Sequence, residues 1–375
     1  MNGKTVGRSA ENYVFRALYL LAIIFVVDGH CMLDHMFAMG DLFKYYSFHL
    51  MLFAFGSGYF FRMREGFLSD LAARAKRLLI PLYVWNVVYG VGAAVLRRFG
   101  GFEIGQEISA YTLLLAPLVD GEHFVWNLGS WFIFPLFLTQ TIYGLMRRMA
   151  KLWKDREGIT FLVCLALGSA AVEMCRAGRQ DMLPLFLTRT LILLPGYAAG
   201  QLYRRELERR DTMKTVPYLI IVLAARALLC VRYGNLAYLL SSCTYFDCGA
   251  FGVYAGGALA IAFYLRIARL IAPFVQKSRL ALFASRHTFD IMMHHVMGYF
   301  ALNCVFLVFN ALGVAAADFS VRSMRTQYDY CYSPSMRSEW NILYLLAGML
   351  VPMAIAWVVE QGKRAILTLK RREAK

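Results

Sequence analysis

An all-α bundle of about ten membrane-spanning helices is the fold class that three observations predict. Only 17% of the 375 residues are charged, against roughly a quarter in soluble proteins. Apolar runs long enough to cross a bilayer core recur along the whole chain, and the mean hydropathy is +0.50. Lys and Arg gather in alternate inter-span segments. A single membrane-embedded domain, residues 1–375, accounts for the whole sequence.

Apolar length and flanking charge place the spans near 14–34, 47–61, 78–96, 129–146, 159–174, 184–202, 215–231, 249–268, 284–312 and 339–361. The first follows Lys4 and Arg8, and the second stops at Arg62. The third carries Pro81 in its first turn, where a missing N–H costs little, and stops at Arg97 and Arg98. Arg147 and Arg148 bound the fourth, Arg176 the fifth, Arg204 and Arg205 the sixth, and Arg232 the seventh. The eighth runs out at Arg266 and Arg269, the ninth follows Arg279, and the tenth stops at Lys363 and Arg364. Residues 111–119, YTLLLAPLV, are apolar but short, and read as a re-entrant or interfacial segment.

With the N-terminus inside, 28 of the 40 Lys and Arg lie on the cytoplasmic side, nine lie on the other, and Arg16, Arg189 and Arg226 lie within spans. Both termini are therefore expected in the cytoplasm of a multi-pass protein of the plasma (inner) membrane. The net charge of +16 is positive-inside charge, so no nucleic-acid partner is expected. No cleavable signal peptide is expected either, since no small-residue cleavage site follows the long first apolar run. None of the eight cysteines makes a CxxC pair. Cys243 and Cys248 are close enough in sequence to leave a bridge open.

Charge inside hydrocarbon is costly and marks function by default. The first span holds Arg16 near its inner end, and Asp28 and His30 near its outer end. Arg16 and His30 are 14 residues apart. On a helix that is about 21 Å of rise and about 40° in direction, so they share a face. Asp28 points about 200° away from His30 and cannot pair with it there, whereas Asp34, four residues on, can. The alternative is a buried histidine satisfied by a neighbouring helix. Further polar residues stand at span ends: His49 and Arg62 bracket the second, and Arg74 and Arg77 precede the third. No HExxH, Cys/His cluster, Walker A or GxGxxG occurs, so no metal and no permanently bound cofactor are expected.

Five segments occur in order: FHLMLFAFGSGYFFR (48–62), RAKRLLIP (74–81), GSWFIFPLF (129–137), LLPGYAAG (193–200) and HTFDIMMHHV (287–296). In that order, in a ten-span chain, they resemble the acyltransferase-3 family of integral membrane acyltransferases. The resemblance runs from the first helix to the ninth. It implies an O-acyltransferase that uses acyl-CoA, commonly acetyl-CoA, to modify cell-surface or lipid-linked glycans. The family's first-helix histidine falls on His30, its RxxR pair on Arg74 and Arg77, and its ninth-helix histidine on His295, beside an extra His294. Its second-helix pattern matches at His49, Phe53, Ser57 and Gly58, with Leu50 and Met51 in place of the usual Met and Pro. Its basic residue eleven positions before the histidine falls on Tyr19, and Arg16 lies one turn earlier.

The chemistry implied needs a base for the acceptor hydroxyl and a cradle for the donor's phosphates. His30 is the expected base, with Asp34 orienting its ring and His49 as the neighbouring catalytic candidate. Arg16, Arg62, Arg74 and Arg77 are the expected donor-binding set, against the plain alternative of positive-inside charge. Ser57, Trp131 and His295 are expected around the acceptor or its cavity, although interfacial placement is the commoner role of a tryptophan. Direct transfer requires fewer steps than an acyl-histidine. A proton-coupled transporter or flippase is the alternative reading, since buried His, Asp and Arg suit it too. Acceptor, acyl chain and oligomeric state are open.

Overall fold

A computed structural model describes residues 11–31, 39–150, 156–234, 236–314, 319–327, 330–332 and 340–373. The described residues are helical apart from connecting segments and two isolated β-bridges. The long helices are α1 (Tyr13–His30), α3 (Phe67–Gly100), α5 (Ile133–Ala150), α6 (Glu157–Arg176), α7 (Leu185–Leu202), α8 (Thr215–Tyr233), α9 (Gly249–Lys277), α11 (Thr288–Ala311) and α13 (Asn341–Glu373). Shorter ones are α2 (His49–Tyr59), α4 (Ala116–Val119), α10 (Arg279–Arg286) and α12 (Val321–Thr326). A 3₁₀ stretch, Val125–Phe132, runs directly into α5.

Among the described residues, eight helical segments are long and apolar enough to cross a membrane. The two other expected spans are α2 and α7. At 11 residues, α2 covers about 16 Å of rise, well short of a hydrocarbon core. α7 carries Arg189, Pro195 and Gln201 within its apolar run. The segment 111–119 forms a π turn over Tyr111–Leu115 followed by α4.

The first helix sits at the centre, touching α2, α9, α10, α11 and α13. Its face of Leu18, Ala22, Ile23, Val26 and Val27 is buried. Asn12 caps its start, accepting from the Phe15 N–H. Against α1 lies α2, which packs on α7 so closely that the backbones touch. A Cβ on Gly58 would collide with the Tyr197 carbonyl, and one on Gly200 with the Phe55 carbonyl. Gly196 and Gly200 form a GxxxG pair facing α2, with a Cβ on Gly196 falling 2.9 Å from the Met51 sulfur. The segments GSGY and PGYAAG are thus the two halves of one helix crossing.

Two expectations about helix ends change. The first helix stops at His30, and Cys31 is extended (φ −71°, ψ 123°). The third begins well before residue 78, so Arg74 and Arg77 belong to a 34-residue helix with Pro81 inside it. That helix rises about 51 Å, more than a bilayer core, so its early turns project beyond the apolar layer.

Candidate active site

Two chambers lie toward opposite ends of the core. The first is a small cavity of about 50 Å³. His30, the last residue of α1, and His49, the first of α2, both line it, with Gly129, Trp131, Ser241 and Met292. His30 Nδ1 is 2.8 Å from the Val26 carbonyl one turn back. A carbonyl only accepts, so Nδ1 carries the proton and Nε2 holds the lone pair of the neutral ring. The same logic fixes His49, whose Nδ1 donates to the Tyr45 carbonyl, and His295, whose Nδ1 donates to the Met292 carbonyl at 2.8 Å.

His295 stands behind the chamber wall, fully buried, its ring centroid 4.8 Å from that of His30. Its Nε2 has no hydrogen-bond partner among the described residues. Gly129 makes room for it: a Cβ there would lie 2.7 Å from His295 Cε1 and 2.6 Å from the Met292 carbonyl. His294 faces away, its Nδ1 2.7 Å from the Tyr89 hydroxyl. Asp28 is buried and accepts from the Tyr45 hydroxyl at 2.5 Å. Because the Tyr45 carbonyl holds His49, Asp28 braces the His49 segment rather than His30.

Trp131 forms one wall of this chamber, with the buried Arg189 guanidinium 4.8 Å from its ring centroid. Arg189 donates to the Ser241 carbonyl at 2.9 Å and the Asp120 carbonyl at 3.3 Å. Arg226 is likewise held by oxygens of Leu42, Gly256 and Ser47. Glu173 lies apart from both, pairing with Arg176 at 3.2 Å and accepting from the Ala250 N–H. Cys243 and Cys248 are separate thiols.

The second chamber is larger, about 810 Å³. It gathers Arg62, Arg64, Arg74 and Arg77 with Tyr19, Ser57 and Gln140. Arg74 is buried and donates to Asp70 at 2.6 Å, and Asp70 also pairs with Arg148 at 2.9 Å. Gln140 on α5 organises both arginines of the RxxR pair. Its carbonyl accepts from Arg74, and its side-chain oxygen accepts from Arg77 at 3.0 Å. Arg62, Arg64 and Arg77 have no ion-pair partner among the described residues, so the chamber is cationic.

Ser57, expected near the acceptor cavity, lies here among the arginines. Arg16 lines neither chamber. It pairs with Glu11 at 2.7 Å and reaches the Ser285 carbonyl at 3.3 Å, while Glu11 also pairs with Arg286 on α10 at 2.5 Å. The Arg286 guanidinium, with Arg16 beside it, holds the Glu11 carboxyl below its ordinary range. Asp34 lies outside the described residues.

The chambers nearly meet. Phe132 and Met292 line the first, and Leu136 and Phe289 line the second. Those positions are four residues apart on one segment and three on the other, roughly 5–6 Å of helical rise. Phe53 lines neither chamber but packs beside one residue of each, its ring centroid 6.0 Å from Tyr19 and 6.3 Å from Phe132, so that a Tyr19–Phe53–Phe132 aromatic layer runs from the cationic hollow to the histidine-lined one.

The sequence profile described as "Acyltransferase domain", that of the acyltransferase-3 family, matches residues 15–361. No match is found among curated proteins or among solved structures. The match spans every helix that builds the two chambers, and the chain belongs to the acyltransferase-3 family.

Proposed function

We propose that this membrane acyltransferase moves an acyl group, expected to be acetyl, from cytoplasmic acyl-CoA to a hydroxyl of a cell-surface or lipid-linked glycan. In this reading it crosses the plasma membrane several times, with both termini and the arginine chamber facing the cytoplasm. The observation that carries the reading is the pairing of the two chambers across the Phe53 layer. Guanidinium groups suit the phosphates of a nucleotide thioester. The histidine chamber suits proton transfer from an alcohol.

The donor's phosphates rest on Arg62, Arg74 and Arg77, and its acyl arm extends past Ser57 and Phe53 to His30. His30 Nε2 takes the proton as the acceptor oxygen attacks the thioester carbonyl. The tetrahedral adduct then collapses, the C–S bond breaks, and the imidazolium returns the proton to sulfur. Ester and free thiol result. The Val26 carbonyl fixes the required tautomer, the orienting work expected of Asp34. Trp131 offers a flat apolar face to a sugar ring, and Arg189 behind it holds that face in place.

Vesicles containing the purified protein test this directly. Supplied with acetyl-CoA and an extract of surface glycans, they should release coenzyme A thiol, and mass spectrometry should find new acyl esters on the glycan. Solute movement with no thiol release would instead establish a transporter.

A further inference from the structure

A second cationic cavity adjoins the arginine chamber, and Phe61 and Arg62 line both. Arg147 from α5 faces it, together with Arg204, Arg205 and Arg209 from the turns that follow α7. Among the described residues, no carboxylate lines it. Behind the wall, Glu157 pairs with Arg147 at 2.9 Å and Arg205 at 3.3 Å. Arg204 donates to the Tyr59 carbonyl at 3.1 Å, and its guanidinium lies 5.6 Å from the centroid of that ring. Arg62 and Arg209 have no ion pair among the described residues. Five guanidinium groups thus converge on one hollow, and among the described residues Arg62, Arg204 and Arg209 meet no carboxylate there. Topogenic charge needs only to be on the correct side of the membrane. Convergence around a hollow raises mutual repulsion and is relieved by a bound anion.

Coenzyme A carries phosphate in two places, a diphosphate leading to the pantetheine arm and a 3′-monophosphate on the ribose. Two adjoining cationic hollows with a shared arginine match that division. We propose that the cavity of Arg147, Arg204, Arg205 and Arg209 binds the 3′-phosphate of the donor, with Arg62 bridging to the diphosphate. The assignment rests on the acyl-CoA reading and extends it. It makes this cavity the element that distinguishes coenzyme A from thioesters of the same arm that lack the ribose phosphate.

The test compares acetyl-CoA with acetyl-dephospho-CoA as donors for the full-length protein in vesicles of neutral lipid. Wild type should prefer acetyl-CoA by about 10- to 100-fold in kcat/KM, chiefly through KM. Arg209→Gln, at an exposed position, and Arg204→Gln should bring that ratio towards one. Arg77→Gln should weaken both donors alike and leave the ratio unchanged. Equal use of the two donors by wild type would overturn the 3′-phosphate site and leave the acyl-CoA reading standing. Arginine variants that lose activity equally with both donors would also overturn it. If that loss appears only with anionic lipid, the cavity holds a lipid phosphate instead. Failure to release thiol from either donor would remove both proposals together.

Discussion

The ring of His295 lies 4.8 Å, centroid to centroid, from the ring of His30, although 265 residues separate them in the chain. His295 is buried and its Nδ1 is committed to a carbonyl, so it cannot swing away from His30 without losing that bond. It therefore forms a fixed wall beside the His30 ring. His30→Gln should abolish acyl transfer while leaving donor binding near wild type, because glutamine cannot cycle a proton. His295→Asn should lower kcat by about 10- to 100-fold with little change in donor KM, as misplacing a base by a fraction of an ångström does. Turnover by folded protein at saturating substrates is the readout. Near-normal turnover in His30→Gln would move the base assignment to His49.

The two arginines of the RxxR pair should behave differently. Arg77 is exposed and held by a neutral amide, so Arg77→Ala should raise donor KM about 10- to 100-fold without loss of folded protein. Arg77→Lys should recover part of this. Arg74 is buried against Asp70, so Arg74→Ala should also lower thermal stability, by about 1–3 kcal/mol, with Arg148 left as partner to the carboxylate. Unchanged donor affinity in an inserted, folded double variant would refute the donor role of both.

Phe53 packs beside a residue of each chamber, and its size should matter in both directions. Phe53→Ala should let water reach a bound thioester and raise donor hydrolysis in the absence of acceptor. Phe53→Trp should crowd the passage and reduce kcat while sparing donor affinity. Thiol release measured with and without acceptor distinguishes the two. Identical ratios in all three proteins would show that Phe53 does not divide the chambers.

The crossing of α2 and α7 tolerates no added methyl. Gly58→Ala and Gly200→Ala should each cost about 1–3 kcal/mol, since the neighbours are backbone atoms that cannot turn aside. Gly362→Ala, where a Cβ meets open space, is the control. The measurement is thermal unfolding in detergent.

Glu11 joins the start of α1 to α10 through Arg16 and Arg286. Its carboxyl titrates below the ordinary value near 4.5 when folded. The stabilisation is thus present above that pH and is lost as pH falls through the lower folded value. The side chain is one-fifth exposed, so the effect should be small, about 0.5–1 kcal/mol. Wild type and Glu11→Gln should differ in Tm at pH 7 and converge toward pH 3.

Much of this architecture is legible in residue order. Apolar length and arginine clusters mark the helices, and RxxR marks the cationic chamber. What escaped the sequence is what depends on packing across helices. α2 looked like a full span because its flanking apolar residues continue past the helix at both ends, yet the helix is 11 residues long. Gln140 is a neutral residue in an apolar run, and nothing local shows that both its oxygens meet arginines. Ser57 was placed with the acceptor because its motif follows His49. One further turn along the helix from Phe53 carries it into the other chamber. The GxxxG spacing in α7 was visible and would have revealed the α2 crossing. The Asp34 expectation assumes a helix continuing past His30; α1 ends at His30, and Asp34 itself lies outside the described residues.

The Phe53 layer also bears on the electrical behaviour of the protein. In the proposed reaction the phosphates stay at one end, the proton taken from the alcohol returns to the sulfur, and only an uncharged acyl group crosses the layer. No net charge moves through the membrane field. A carrier that moved one elementary charge would gain or lose about 2.3 kcal/mol per 100 mV. Acyl transfer in polarised vesicles should therefore run at the same rate whichever side is made negative, and it should need no ion gradient to proceed.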